Sequence, residues 1–303
     1  MNLLQQPYIL LLVFIFGIVS QFFPFLPKAI HKKINKFILF VPLPALVLSK
    51  IPFLEITHEV IFPIASAWII FFGSAIFAYV FCRIFDYDKK TMACMILCCG
   101  LGNTSFVGYP FLKYFYGEES IKYAIFVDQP GSFLILSTFG ILTATYFSAA
   151  DFSAKSIVIR LFKFPPFVVF IIALFIPKEF IQGATFDILD FLGKAMIPLA
   201  IFSLGLQFKL SLKVVPWKKL LAGTFYKLLL APFIIYIFFY FILHKNGELY
   251  TISILECAMP SMITSSLLAA EYDLDSELAN AMPTFGILFA IPTLLFWRWI
   301  LQF

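Results

Sequence analysis

Two short stretches place helix breakers and hydrogen-bonding side chains inside otherwise apolar sequence. The first, GLGNTSFVGYP (residues 100–110), contains Asn103, Thr104 and Ser105, followed by Gly108, Tyr109 and Pro110. The second, CAMPSMITSS (residues 257–266), contains Met259, Pro260, Ser261 and Thr264. Proline has no amide hydrogen and suits the first turn of a helix, while glycine tolerates unwound backbone. The spacing therefore predicts two interrupted helices, with Gly108 unwinding the chain ahead of a half-helix that starts near Pro110, and Pro260 acting likewise. A broken helix exposes free amides at one end and free carbonyls at the other. Its positive amide end attracts an anion such as a carboxylate. Asn103, Thr104, Ser105 and Ser261 add directional hydrogen bonds beside those ends. These residues, with Gly108, Tyr109, Pro110, Met259, Pro260 and Thr264, form the expected substrate-contact set. The competing reading is a pair of ordinary proline kinks whose Ser and Thr bond back to their own helices.

Charged side chains inside apolar segments are the second signal, because a charge at the centre of a membrane helix costs roughly 2.5–3.5 kcal/mol on insertion scales. Asp128, in FVDQPGSF, and Glu256, one turn before Pro260, are candidates for a coupling proton or cation. A structural ion pair of either acid with Lys227 is the alternative. Gln129 and unwound carbonyls are expected to be able to ligate sodium. Lys194 is expected to pair with Asp187 or Asp190 on its own helix.

The elements that must position these groups follow from composition. Of 303 residues, 62% are hydrophobic and 13% charged, and the mean hydropathy is +0.97. A water-soluble shell cannot be built from so few polar residues, and long apolar runs without alternation predict membrane-spanning helices rather than barrel strands. Segments of about 20 apolar residues suit one crossing each. They occur at 7–26, 37–53, 60–84, 91–116, 121–147, 164–181, 187–207, 218–243, 249–270 and 277–301. Basic residues mark cytoplasmic loops. They cluster at Lys28 to Lys36, at Arg83, Lys89 and Lys90, at Lys155, Arg160 and Lys163, and at Lys209 to Lys219, with fewer on the opposite side. Both termini are then expected outside, and MNLLQQPYIL, with no basic residue before its apolar run, reads as a retained helix. The acidic loop EYDLDSE carries no topological signal. It is expected to be a solvated turn with Asp275 or Ser276 as a helix N-cap, calcium binding being the alternative.

The fold class expected is an all-α polytopic membrane protein with ten spans in a 5+5 inverted repeat, 1–150 and 151–303, in which spans four and nine are broken and cross. Internal echoes support it: PALVLS and PLAIFS place Pro44 and Pro198 alike, and Pro130 and Pro110 correspond to Pro283 and Pro260. Inverted repeats with interrupted helices are a secondary-transporter signature. The cysteines lack metal-type spacing, the histidines His31, His58 and His244 fall in loops, and no GxSxG elbow or nucleotide-binding loop occurs. No enzyme, cofactor, metal site or nucleic-acid partner is therefore expected. An uncoupled facilitator or channel for small anions is the alternative function.

GNTSFVGYPFLKYFYG resembles the fourth span of the auxin efflux carrier family. AMPSMITSSLLAAEYDLD followed by FGILFAIPTLLF resembles that family's last two spans, and PLAIFSLGL its seventh in bacterial members. The resemblance implies the ten-helix fold shared with bile-acid symporters and sodium/proton antiporters. A scaffold of spans 1, 2, 6 and 7, joined in a homodimer, would carry a transport domain of spans 3–5 and 8–10 that moves as an elevator. It implies a cell-membrane (inner-membrane) transporter of a small organic anion, malate, malonate or an auxin-like acid, with lipid around it; H+ or Na+ as a coupling partner is the expectation drawn from the buried acids above. Substrate contact is implied at Asn103, Pro110 and Pro260 with their neighbours.

Overall fold

The protein was analysed as a computed structural model that describes residues 7–24, 26–27, 29–55, 57–148, 154–208 and 215–302. Lys28, Lys209 and the expected repeat boundary at 150/151 lie outside the described residues. In chain order the helices are α1 (Pro7–Ser20), α2 (Ile30–Phe40), α3 (Pro42–Lys50), α4 (Ile61–Ile84), α5 (Lys89–Gly100), α6 (Tyr109–Tyr116), α7 (Ser120–Val127), α8 (Ile141–Ser148) and α9 (Ala154–Lys163). They continue as α10 (Pro165–Ala173), α11 (Ala184–Lys194), α12 (Met196–Gln207), α13 (Trp217–Phe225), α14 (Ala231–Ile237), α15 (Glu248–Cys257), α16 (Ile263–Glu271) and α17 (Ser276–Ile300). Among the described residues there is no strand, only one isolated bridge.

Among the described residues, six stretches are long and apolar enough to cross a bilayer: Ile30–Phe53, His58–Ile84, Ser120–Ser148, Ala184–Gln207, Trp217–Ile242 and Ser276–Ile300. The other four expected segments take different forms. α1 has 14 residues and α10 has nine, while 91–116 and 249–270 are each divided between two shorter helices.

The contacts group the chain into two units. The first comprises Met1–Thr57, Ser105–Ile125 and Ile159–Lys209. Within it α1 packs along α12 closely enough that a Cβ on Gly17 would sit 2.5 Å from the Phe202 carbonyl oxygen, so only glycine permits this approach. Gln21 fixes the pair by donating from Nε2 to the Gly205 and Phe208 carbonyls, at 2.8 and 2.9 Å. α11 lies against α3. Glu118 accepts from both Lys113 and Lys50, and Lys194 pairs with Asp190, the expected one-turn partner.

The second unit comprises His58–Thr104, Phe126–Val158 and Leu210–Phe303. Its helices are tied by aromatic donors that reach backbone carbonyls across helix contacts. Tyr226 Oη donates to Ile70 O at 2.7 Å, and Trp297 Nε1 donates to Leu228 O at 2.9 Å. Wide π-type turns interrupt the helical ladder at Asp128–Phe133 and Tyr226–Leu230. In the first, Pro130 cannot donate to the ladder, and its carbonyl accepts from Trp68 Nε1 at 3.2 Å.

The acidic loop before α17 resolves as a capped turn. Asp275 accepts from the Leu278 amide at 3.0 Å, from Thr91 Oγ1 at 2.8 Å and from Lys219 Nζ at 2.6 Å. Its three partners are donors, which is an N-cap and ion-pair arrangement and not a set of cation ligands. Burial pushes the Asp275 carboxyl up, but the bonds from Lys219, Leu278 and Thr91 outweigh it and hold it below the usual carboxylate value. A lowered folded-state value stabilises the fold fully above the unfolded value, and that contribution disappears as the pH falls through the folded value. Asp275→Ala should therefore lower the melting temperature at pH 7, equivalent to about 1–2 kcal/mol for a lost cap. The gap to wild type should narrow as the pH drops below the ordinary 3.8. Scanning fluorimetry across pH reads this, and a gap that stays constant into acid would contradict it.

Candidate functional site

The two interrupted helices of the second unit build the site. α5 runs to Gly100, residues 101–103 are non-helical, and a π-type turn begins at Thr104. α15 ends at Cys257, residues 258–262 are non-helical, and α16 starts at Ile263. Pro260 lies in the second break, as its missing amide suggests. The first break falls earlier than the expected one at Gly108 and Pro110. Gly108 is helical (φ −63°, ψ −56°), and Pro110 occupies the opening turn of α6. The physical reason is that the ladder re-forms at Thr104 as a wide turn, which accommodates a proline without a donor. The unwound residues are 101–103, with Gly102 in the middle.

The breaks satisfy each other. Gly102 and Ser261 form an antiparallel bridge. The Asn103 amide donates to Pro260 O at 2.7 Å, and the Met262 amide donates to Leu101 O at 3.0 Å. Ser261 Oγ donates to Cys98 O at 2.6 Å, in the last turn of α5. The carbonyl end of α15 is closed differently: Lys227 Nζ donates to Cys257 O at 2.8 Å. Gly102 leaves room for this cap: a Cβ there would lie 3.1 Å from Lys227 Nζ, so the lysine end would have to give way slightly. Free peptide groups in an apolar interior cost several kcal/mol each. The bridge and the two caps remove that cost on the carbonyl side. On the amide side, no side chain hydrogen-bonds at the Met262 N-cap position of α16.

Two carboxylates stand in contrasting surroundings. Asp128, 2% exposed, accepts from Thr104 Oγ1 and from Gln129 Nε2, the latter at 2.6 Å. It has the donors that an ionised carboxylate needs. Glu256 is 1% exposed, and neither of its oxygens has a hydrogen-bond partner among the described residues; the same holds for Gln129 Oε1. A buried carboxylate with no donor requires a proton or a bound cation. Lys227 does not pair with Glu256, contrary to the ion-pair alternative; its hydrogen bond is to the carbonyl of Cys257.

Of the expected substrate contacts, Asn103, Thr104, Met259, Pro260 and Ser261 are brought together as buried residues at the crossing. A hydroxyl has one donor hydrogen, and those of Thr104 and Ser261 are committed to Asp128 and Cys98. Thr264 is exposed on α16. Ser105, half-buried, and Gly108, Tyr109 and Pro110, all buried, belong to the first unit. Sequence reasoning missed the capping role of Lys227 and the part played by Gly102. The available signal was a lysine inside an apolar span with no acid one turn away.

An all-helical membrane chain whose interrupted helices pair through their backbones has the architecture of a membrane transport protein. The model of the membrane transport protein family matches residues 4–298, and the chain belongs to that family, the auxin efflux carrier family. An uncharacterized transporter of Methanocaldococcus jannaschii is 26% identical over 309 residues, covering 97% of each chain. An uncharacterized transporter of Methanothermobacter thermautotrophicus is 28% identical over 231 residues, covering 75% of this chain and 74% of its own.

Ser261→Ala removes the hydroxyl and leaves the Cys98 carbonyl without that donor. It should destabilise the protein by about 1–3 kcal/mol, read as a lower melting temperature in detergent. An unchanged melting temperature would show that the Ser261–Cys98 bond does not hold the crossing.

Proposed function

We propose that this chain is a secondary transporter of a small organic anion, with ten spans in a 5+5 inverted repeat and elevator-type alternating access. The observation that carries the reading is the paired crossing. Both carbonyl ends have donors from within the protein, whereas the amide end of α16 has no side-chain cap. An uncapped helix N-terminus beside buried Asn103 is suited to a carboxylate. Asn103 and the first-turn amides of α16 supply the donors in this reading, and Met259 and Pro260 shape the wall. The division of contacts into two units, the second holding both carboxylates and the crossing, supports a scaffold and a moving transport domain.

Glu256 without hydrogen-bond donors supports coupling, in which a proton or sodium ion accompanies the anion, with Asp128 and Gln129 beside it. The cell membrane, outward termini and a homodimer through the scaffold complete the proposal.

Two measurements check it. A thermal-shift screen of dicarboxylates, monocarboxylates and aromatic acids should identify a ligand. Asn103→Ala should then lower saturable uptake of that ligand into proteoliposomes by about tenfold or more, the effect of losing one charge-assisted hydrogen bond. Unchanged uptake would remove Asn103 from the site. Glu256→Gln should abolish the response of uptake to an imposed pH or sodium gradient; a retained response would end its coupling role.

A further inference from the structure

Two buried carboxylates, Asp128 and Glu256, stand near the crossing with one buried ammonium, Lys227. Glu256 lies within electrostatic reach of both other groups. In an apolar interior each uncompensated anion is costly. Asp128 has donors from Thr104 and Gln129, whereas Glu256 has none among the described residues. The carbonyl end of a broken membrane helix is also a place where cations bind. In this protein that place is taken: Lys227 is 2% exposed and directs Nζ to Cys257 O, the carbonyl at the end of α15. α5 offers the internal comparison. Its end is closed by neutral donors, the Ser261 hydroxyl and the Met262 amide. Only the α15 end, which neighbours the donor-free Glu256, receives a full positive charge.

We propose that Lys227 is a tethered cation, occupying at the α15 carbonyl end, beside the donor-free Glu256, a place that a mobile cation would otherwise take. Gly102 leaves the ammonium its room: a Cβ there would lie 3.1 Å from Lys227 Nζ. The inference deepens the proposed coupling and rests on that reading only for the word mobile. The cation place itself is defined by Lys227, Cys257 and Glu256.

The test uses the purified full chain without any substrate, so an error in the transport reading leaves its outcome unaffected. Melting temperatures of wild type, Lys227→Ala and Lys227→Arg are compared in choline chloride, sodium chloride and ethylammonium chloride at equal ionic strength. Ethylammonium restores the end of the side chain that alanine removes, and sodium tests the place as a cation site. Lys227→Ala should be destabilised in choline and regain stability, saturably, with ethylammonium or sodium. Wild type and Lys227→Arg should be indifferent to ethylammonium. A variant that yields no folded protein in choline should yield it when extracted in ethylammonium or sodium, and Lys227→Gln, which keeps a donor for Cys257 O, should show the same cation response. Lys227→Ala or Lys227→Gln that responds to neither cation, or wild type that responds to ethylammonium as strongly as the variants, would overturn the proposal.

Discussion

A peptide group inside a hydrocarbon layer must find a partner, and everything at the centre of this protein follows from how two broken helices meet that requirement. Neither break finds all its partners within its own helix, since Pro260 removes a donor and residues 101–103 leave the helical ladder. The breaks instead serve one another. The Gly102–Ser261 bridge, with the Asn103–Pro260 and Met262–Leu101 hydrogen bonds, is a fragment of antiparallel pairing in a protein with no strand among its described residues. The irregular backbone of the two breaks is largely buried and finds its partners within the protein, as peptide groups away from water must.

That pairing also sorts charge. Helix carbonyl ends carry partial negative charge and amide ends partial positive charge. Ser261 and Lys227 cap the carbonyl ends of α5 and α15, leaving the α16 amide end without a side-chain cap. The carboxylates divide in the same way. Asp128 is furnished with donors by Thr104 and Gln129, while Glu256, equally buried, has none. One acid is thus held in a hydrogen-bonded network and the other has no donor, within a single unit of the chain.

Much of this was legible in the sequence, and the exceptions have physical causes. Apolar length and charge depletion gave the class of protein, because hydrocarbon accepts only helices or closed barrels. Pro260 marked its break correctly, since proline acts locally on the backbone. Pro110 marked the opening turn of a half-helix as expected, but Gly108 misled in position: the chain unwinds earlier, at residues 101–103, and a π-type turn runs from Thr104 to Gly108. Asp275 was readable as an N-cap from its place before an apolar helix, but its bond to Lys219 was not, because that contact is tertiary. The roles of Thr104 and Ser261 were half legible. Their depth showed that they matter, whereas the partner of each hydroxyl is set by the packing of other helices.

The most direct test of the central claim is amide hydrogen exchange across residues 101–106 and 258–266 in the membrane-reconstituted protein, with and without a carboxylate ligand such as malonate. The account predicts slow exchange at Asn103 and Met262, the two amides that bond across the crossing. It also predicts further slowing in the first turn of α16 when the anion is present. Rapid exchange at Asn103 and Met262 would contradict the pairing, and a first turn of α16 indifferent to every carboxylate tried would contradict its use as the anion's seat.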